Sequence, residues 1–129
     1  MSGEGLRLSY VLPIRRGEFV ADGELEGYLR MLSRWVDDLI VVDGSPRAVR
    51  SRHSRAWGHL VRHLAPDPRY RFLNGKVNGV LTGLAWARND SVVIADDDVR
   101  YTPAELKRIA ALLERGHLVR PQNYFHPLP

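Results

Sequence analysis

The sequence predicts an α/β protein, a Rossmann-like three-layer sandwich with a mostly parallel sheet. Apolar runs of strand length alternate with segments of helical periodicity along the 129 residues, and this alternation is typical of βαβ units. Right-handed crossovers then place helices on both faces of the sheet. A chain of this length suits one hydrophobic core, so we expect residues 1–129 to form a single domain.

The first elements are predicted from one apolar run, one periodic segment and a second apolar run. Leu6–Ile14 is rich in aliphatic side chains and predicts the first strand. Asp22 suits the cap of a helix, and apolar residues recur after it at helical spacing. The unbroken aliphatic run at 39–42 predicts a second strand that is covered on both faces.

The middle of the chain predicts a long second helix and a short third strand. Ser45 is expected to cap this helix, and Pro46 to occupy its first position. Apolar residues continue at helical spacing to Leu64, and prolines at 66 and 68 end the pattern. Residues 70–73 are then predicted to form a short strand.

The last part of the chain predicts two more helices and two more strands. Periodic apolar residues at 77–85 indicate a third helix, and the run at 91–95 indicates a buried strand. A capping box from Thr102 to Glu105 opens the fourth helix, and Gly116 suits its end. Residues 118–123 predict a fifth strand.

Three consecutive carboxylates, Asp96, Asp97 and Asp98, directly follow the strand predicted at 91–95. Their mutual repulsion would be relieved by a divalent cation, because hard cations such as Mg²⁺ prefer carboxylate oxygen and commonly bridge to phosphate. An exposed acidic turn that leads into the Thr102 cap is the alternative interpretation. The triplet therefore indicates a metal-and-phosphate site at the carboxyl end of a strand.

Polar residues also follow the first two strands, at Arg15 and at Asp43. In open α/β sheets, ligands bind beyond the carboxyl ends of the strands, so parallel strands would bring these residues and the acid triplet to one crevice. Lys76 opens a helix and could lie near phosphate. Asp43 and Lys76 could equally be ordinary residues of the turns that lead into helices.

Composition excludes several classes of function. The chain has no cysteine, which excludes disulfides and thiolate metal sites. Its net charge is +4 with 17 arginines, yet no nucleic-acid-binding motif accompanies this basic balance. No apolar run is long enough to span a bilayer, and the first residues do not resemble a signal peptide. A cytoplasmic location is expected, with membrane association possible for a longer protein.

The histidines do not form a recognisable metal motif. His59 and His63 are four residues apart and are expected on one face of the second helix. No third ligand or intervening glutamate accompanies them, so we expect a solvated or half-buried helix face instead of a metal site.

Four motifs follow one another in an order that resembles the nucleotide-binding half of a family 2, GT-A type glycosyltransferase. The resemblance covers about residues 6–123. The motifs are the strand with a proline turn at 11–15, the Asp-Gly-Ser turn at 43–45, Gly75-Lys76 with Gly83 seven residues after the lysine, and Asp96 thirteen residues after Gly83. The chain departs from the family pattern at Leu81, where an asparagine is common.

The resemblance implies a metal-dependent enzyme that takes a nucleoside-diphosphate sugar as donor. It implies Mn²⁺ or Mg²⁺ as cofactor, and a saccharide, lipid or small molecule as acceptor. The implied contacts with the nucleotide sugar are Pro13, Arg15, Asp43, Lys76, Asp96 and Asp97, and the implied metal ligands are Asp98 and Asp96.

The resemblance also implies a second, acceptor-binding half that carries the general base. No candidate base is evident after the acid triplet, and the chain ends in an aromatic and apolar segment at 124–129. We therefore expect a fragment of a longer catalytic domain that binds donor but does not transfer sugar by itself.

Other classes of α/β protein with acidic sites match this sequence less well. Receiver domains and haloacid-dehalogenase-like phosphatases need acids just after the first strand, where this chain has Pro13, Ile14, Arg15 and Arg16. A nucleotidyltransferase and a non-catalytic nucleotide-sugar-binding module remain the alternatives.

Overall fold

The computed structural model describes residues 5–116, and within them it confirms the α/β prediction. Its helices are separated by strands along the chain, and short 3₁₀ turns lie at Gly58–Leu60 and Pro68–Tyr70. No helix in this part of the chain is long and apolar enough to cross a membrane. The strands are β1 (Leu6–Ile14), β2 (Val36–Asp43), β3 (Arg62–Leu64) and β4 (Val92–Ile94), and the helices are α1 (Gly23–Trp35), α2 (Arg47–Trp57), α3 (Gly75–Trp86) and α4 (Pro103–Glu114).

The four described strands form one parallel sheet in the order β3-β2-β1-β4. β1 lies in the middle, with Ile14 paired to Asp43 of β2 and Val11 paired to Ile94 of β4. One face of the sheet packs with apolar residues of α1, α2 and α4 into the larger core. The other face presents Val11, Ile40 and Val42, and α3 lies against it. These are the three predicted layers.

Two helix starts and one helix end lie at the capping residues that the sequence predicts. The Asp22 carboxylate accepts a hydrogen bond from the backbone N–H of Leu25 at 3.0 Å, which caps α1. Thr102 and Glu105 form the reciprocal capping box of α4. Gly116 follows α4 with a φ of 84°, the left-handed conformation that glycine adopts at low energetic cost.

α3 packs on the sheet through its small and polar side. Its buried residues are Asn78, Gly79, Thr82 and Gly83. A Cβ on Gly83 would lie 2.3 Å from Cγ1 of Val11, so only glycine permits this close approach of helix and strand. The predicted helix at 77–85 is therefore confirmed, but its apolar stripe does not face the sheet.

A buried hydrogen-bond network replaces apolar packing along this side of α3. The Thr82 hydroxyl donates to the Asn78 side-chain oxygen at 2.8 Å and accepts from the backbone N–H of Asp67 at 2.9 Å. The Asn78 side-chain amide donates to the Asp67 carbonyl at 3.1 Å. Because buried polar groups need partners, this network ties α3 to the loop that follows β3.

The prediction that the second helix continues to Leu64 is wrong. α2 ends at Trp57, and Arg62–Leu64 is instead the edge strand β3, paired with β2. Gly58 weakens helix continuation, and the open edge of β2 offers backbone hydrogen bonds to the next residues. His59 and His63 therefore lie in a 3₁₀ turn and a strand, not on one helix face as expected.

Two other local predictions are also wrong. Ser45 does not cap α2, which begins after Pro46 without a side-chain cap, because the Ser45 hydroxyl accepts a hydrogen bond from the backbone N–H of Arg16. Residues 70–73 do not form a strand; they complete a 3₁₀ turn and lead into the Asn74 cap of α3. The fifth strand expected at 118–123 lies outside the described residues.

Replacing Gly83 with alanine should destabilise the protein. The added Cβ would collide with Val11, a stiff β-branched side chain that is fully buried. Overpacking of this kind lowers the free energy of unfolding by roughly 1–3 kcal/mol, measurable by urea denaturation.

Gly27→Ala is the matched control, because nothing lies within 4 Å of a Cβ at this exposed position in α1. It should raise stability by about 0.5–1 kcal/mol through helix propensity alone. A Gly83→Ala protein as stable as the Gly27→Ala protein would contradict the close approach of α3 to β1.

Candidate functional site

A cavity of about 360 Å³ opens at the carboxyl edge of the sheet. This volume lies within the usual range for small-molecule sites. The ends of β1 and β2, the residues that follow β3 and β4, and the start of α3 contribute to its wall. The lining residues are Pro13, Ile14, Arg15, Val42, Gly44, Pro66, Gly75, Lys76, Gly79 and Asp96.

The charged side chains of the cavity come from three elements. Arg15 follows β1, and one of its terminal nitrogens lies 3.8 Å from where a Cβ on Gly75 would be. Lys76 is in the first turn of α3, and its ammonium lies 2.6 Å from a carboxylate oxygen of Asp96, which follows β4. The cavity wall therefore carries two cationic side chains and one carboxylate beside a helix N-terminus.

The side chains of the three acids after β4 differ in their surroundings. Asp96 pairs with Lys76 at the cavity, whereas Asp97 accepts from Arg16 at 3.2 Å, outside the cavity wall. Asp98 is exposed and does not line the cavity either. Arg16 also contacts Asp22 at 3.3 Å, so it links the acidic turn to the cap of α1.

Asp43 lies beneath the cavity wall instead of in it. It is fully buried, and one carboxylate oxygen accepts from the backbone N–H of Ser45 at 3.0 Å. The other oxygen lies 2.7 Å from Nδ1 of His53 and 2.9 Å from Nε2 of His63. An ionised carboxylate only accepts hydrogen bonds, so both ring nitrogens must carry a proton.

The two histidines flank an indole ring in the larger core. The ring of Trp57 lies 5.1 Å from that of His53 and 5.0 Å from that of His63, measured between centroids. We call Asp43, His53, Trp57 and His63 the aspartate–histidine cluster. It joins the end of β2 to α2 and to β3.

The carboxyl of Asp43 has an unusually low pKa. Burial by itself would raise this pKa, but hydrogen bonds from His63, Ser45 and His53 outweigh burial and hold it well below its usual range. Because the folded-state pKa is lowered, the ionised Asp43 carboxylate contributes its full stabilisation of the fold above the unfolded-state pKa of about 3.9. This stabilisation is lost as the pH falls from there through the folded-state pKa.

The aspartate–histidine cluster supports part of the cavity wall. Asp43 holds the turn that follows it, and the backbone N–H of Gly44 donates to the carbonyl of Ile14 at 2.9 Å. The Ser45 hydroxyl accepts from the backbone N–H of Arg16 at 2.9 Å. Gly44 and Arg15 line the cavity, so a buried carboxylate fixes the relative position of two of its walls.

The structure brings together four of the residues singled out from sequence, namely Pro13, Arg15, Lys76 and Asp96. Sequence reasoning did not identify Pro66 as a wall residue, because its position depends on where β3 ends. It also did not identify His53 and His63 as partners of Asp43. No local signal points to that contact, since the three residues come from α2, β2 and β3.

Comparison with known proteins assigns the family. The family model described as Glycosyl transferase family 2 matches residues 36–127, more than half of the chain. The chain belongs to glycosyltransferase family 2. No curated protein and no solved structure shows a significant match. Family membership confirms the resemblance drawn from the motifs. It supports glycosyltransferase activity by resemblance, and it implies a nucleotide-sugar donor and an acceptor in general terms.

Replacing Asp43 with asparagine should strongly destabilise this family 2 domain. An asparagine cannot accept from both histidines and from Ser45 as a carboxylate does. Leaving a buried hydrogen-bond donor without its acceptor typically lowers the free energy of unfolding by about 1–3 kcal/mol, which chemical denaturation at neutral pH would measure.

Asp90→Asn removes an exposed carboxylate in the bend before β4 and serves as the control. Its effect should stay within about 0.5 kcal/mol. Equal stabilities of the two variants would show that the aspartate–histidine cluster does not stabilise the fold.

Proposed function

We propose that the cavity binds the nucleoside-diphosphate part of a sugar donor, and that the domain serves a metal-dependent transfer of that sugar to an acceptor. The observation that carries the proposal is the meeting of Arg15, Lys76 and the N-terminus of α3 at one cavity in a family 2 chain. Each of these groups favours anionic oxygen, and they come from two elements that are distant in sequence, the end of β1 and the start of α3.

The start of α3 suits a diphosphate. Unpaired backbone N–H groups and the helix dipole make a helix N-terminus attractive to phosphate. Gly75 and Gly79 line the cavity without side chains, which leaves room for a ligand to approach the backbone. Lys76 supplies a mobile point charge, and Arg15 supplies a planar fork that can bind phosphate oxygens in pairs.

The acidic turn fits a divalent cation with phosphate as co-ligand. Mg²⁺ is usually held by one or two carboxylates, with water and substrate phosphates in the other positions. Asp98 and Asp96 are the proposed ligands, and Arg16 orients Asp97 beside them. Within residues 5–116 no group of three or more acidic or histidine side chains could hold a metal, so the proposed site needs the phosphates of the donor.

A bound cation would offset the charge that develops on the leaving nucleoside diphosphate. Lys76 and Arg15 would add to that charge stabilisation from the protein side. The salt bridge between Lys76 and Asp96 keeps the ammonium at the cavity before donor binds. A diphosphate would then share this lysine with Asp96.

Asp43 is proposed to act on the nucleotide mainly through the turn that it holds. Its carboxylate already accepts hydrogen bonds from three protein groups, whereas Gly44 beside it lines the cavity. A direct contact between Asp43 and the base or ribose stays a prediction from the sequence. Such a contact would require the carboxylate to give up one of its present partners.

Donor binding should raise the melting temperature of the protein. Uridine or guanosine diphosphate together with Mn²⁺ should raise it more than either ligand alone, because ligands of the native state stabilise it by mass action. Differential scanning fluorimetry at millimolar ligand measures this shift. Identical melting curves with and without both ligands would refute the proposed donor site.

Lys76→Ala should weaken nucleotide binding without unfolding the domain. Losing a charge-assisted contact typically costs about 1.5–3 kcal/mol, or roughly a tenfold to hundredfold rise in Kd, measurable by titration calorimetry. Lys107→Ala is the matched control, since Lys107 is the other lysine of the chain and lies exposed on α4. Equal affinities of the two variants would exclude Lys76 from the site.

Asp98→Asn tests the cation separately from the phosphate contacts. The variant should still bind nucleoside diphosphate through Arg15 and Lys76, but added Mn²⁺ should no longer strengthen that binding. Asp90→Asn again provides the comparison. An undiminished effect of Mn²⁺ on the Asp98→Asn protein would remove Asp98 from the proposed ligands.

A further inference from the structure

The outer side of α3 is apolar although it faces away from the sheet. Val77 is 40% exposed and Leu84 is 42% exposed, and Val80 and Leu81 beside them are partly exposed. Residues 77–87 contain no charged side chain. A helix that packs on a sheet normally turns its apolar stripe inward, so this exposed stripe needs another explanation.

Core packing does not account for the stripe. The glycines and the Asn78–Thr82 network occupy the side that contacts β1, so the apolar side chains cannot turn inward without breaking that contact. Exposed apolar surface that is contiguous and bordered by polar residues marks an interaction site. The outer side of α3 therefore has the character of a docking surface.

Aromatic and basic residues border this surface at both ends of the helix. Phe72 precedes α3 and is 79% exposed, and Trp86 ends it at 54% exposed. Aromatic rings in such positions are enriched at membrane–water interfaces. Four exposed cations lie within residues 68–88, namely Arg69, Arg71, Lys76 and Arg88. Arg69 is paired with Asp67 and Lys76 with Asp96, so Arg71 and Arg88 contribute most to the basic character of the border.

We propose that the outer side of α3 docks on the surface of an anionic membrane. An amphipathic surface of this kind inserts its apolar residues at the boundary of headgroups and acyl chains, while its cations attract anionic lipid. The charge pattern favours lipid over a second copy of the chain. In a two-fold symmetric dimer the same basic rims would face each other and repel.

Docking in this way would also bear on the acceptor. Gly75, Lys76 and Gly79 of the same helix line the cavity, so the cavity would open close to the membrane surface. If the proposed donor site holds, the acceptor is then a lipid or a lipid-linked group within reach of that surface. This consequence rests on the proposed function, whereas membrane docking itself does not.

Sedimentation with lipid vesicles tests the proposal on the full 129-residue chain. Vesicles that mix phosphatidylcholine with phosphatidylglycerol should retain the protein at low salt, and pure phosphatidylcholine should retain much less. Leu84→Ser and Phe72→Ser should each lower the partition coefficient roughly fivefold or more, since each removes apolar area from the lipid contact. Val20→Ser is the matched control, because Val20 is 58% exposed and follows Phe19, whose ring contacts His53 of α2 on the other face of the sheet.

A charge variant separates electrostatic attraction to anionic lipid from nonspecific adsorption. Arg71→Gln should weaken binding to the anionic vesicles roughly fivefold. Arg108→Gln, at an exposed position on α4 across the sheet, should have little effect. Thermal melts of every variant confirm that folding is retained, and all vesicle measurements are made without nucleotide.

Three outcomes would overturn membrane docking. The wild-type chain could fail to bind anionic vesicles, or Val20→Ser could weaken binding as much as Leu84→Ser. Alternatively, light scattering could show a dimer that Leu84→Ser dissociates, which would make a second copy the occupant. Because donor binding is measured without lipid, either proposal can fail while the other stands.

Discussion

The parallel pairing of β1 with both β2 and β4 is the constraint on which the rest of the structure depends. β1 is buried along most of its length, so its neighbours and the helices on both faces are arranged around it. Parallel strands end at the same edge, and the turns after β1, β2 and β4 therefore meet there. The cavity follows from this arrangement, because Arg15, Gly44 and Asp96 each stand just beyond a strand end.

The aspartate–histidine cluster shows how buried polar groups specify that edge. A carboxylate with no solvent exposure is stable only when its oxygens are paired, and here Asp43 draws its partners from α2, β3 and its own turn. The same contacts tie α2 and β3 to the end of β2. Stability of the core and shape of the cavity wall are therefore linked through one residue.

The packing of α3 links the core to the outer surface. Glycines at 79 and 83 let the helix backbone approach Pro13 and Val11 closely, which directs its larger apolar residues outward. A tight contact on one side of the helix thus creates an exposed apolar surface on the other. Because the first turn of α3 also lines the cavity, whatever binds that surface would lie near the proposed donor site.

Sequence alone determined the α/β class, the order of most elements, the caps at Asp22 and Thr102 and the family, because these depend on contacts within a few residues or on motif spacing. It also pointed to several cavity residues through the rule that parallel strands share one edge. Only the tertiary structure decided the rest. β3 exists because the edge of β2 was open, and His63 reaches Asp43 because β3 lies beside β2. Such contacts join residues twenty or more positions apart, and no local pattern of side chains specifies them.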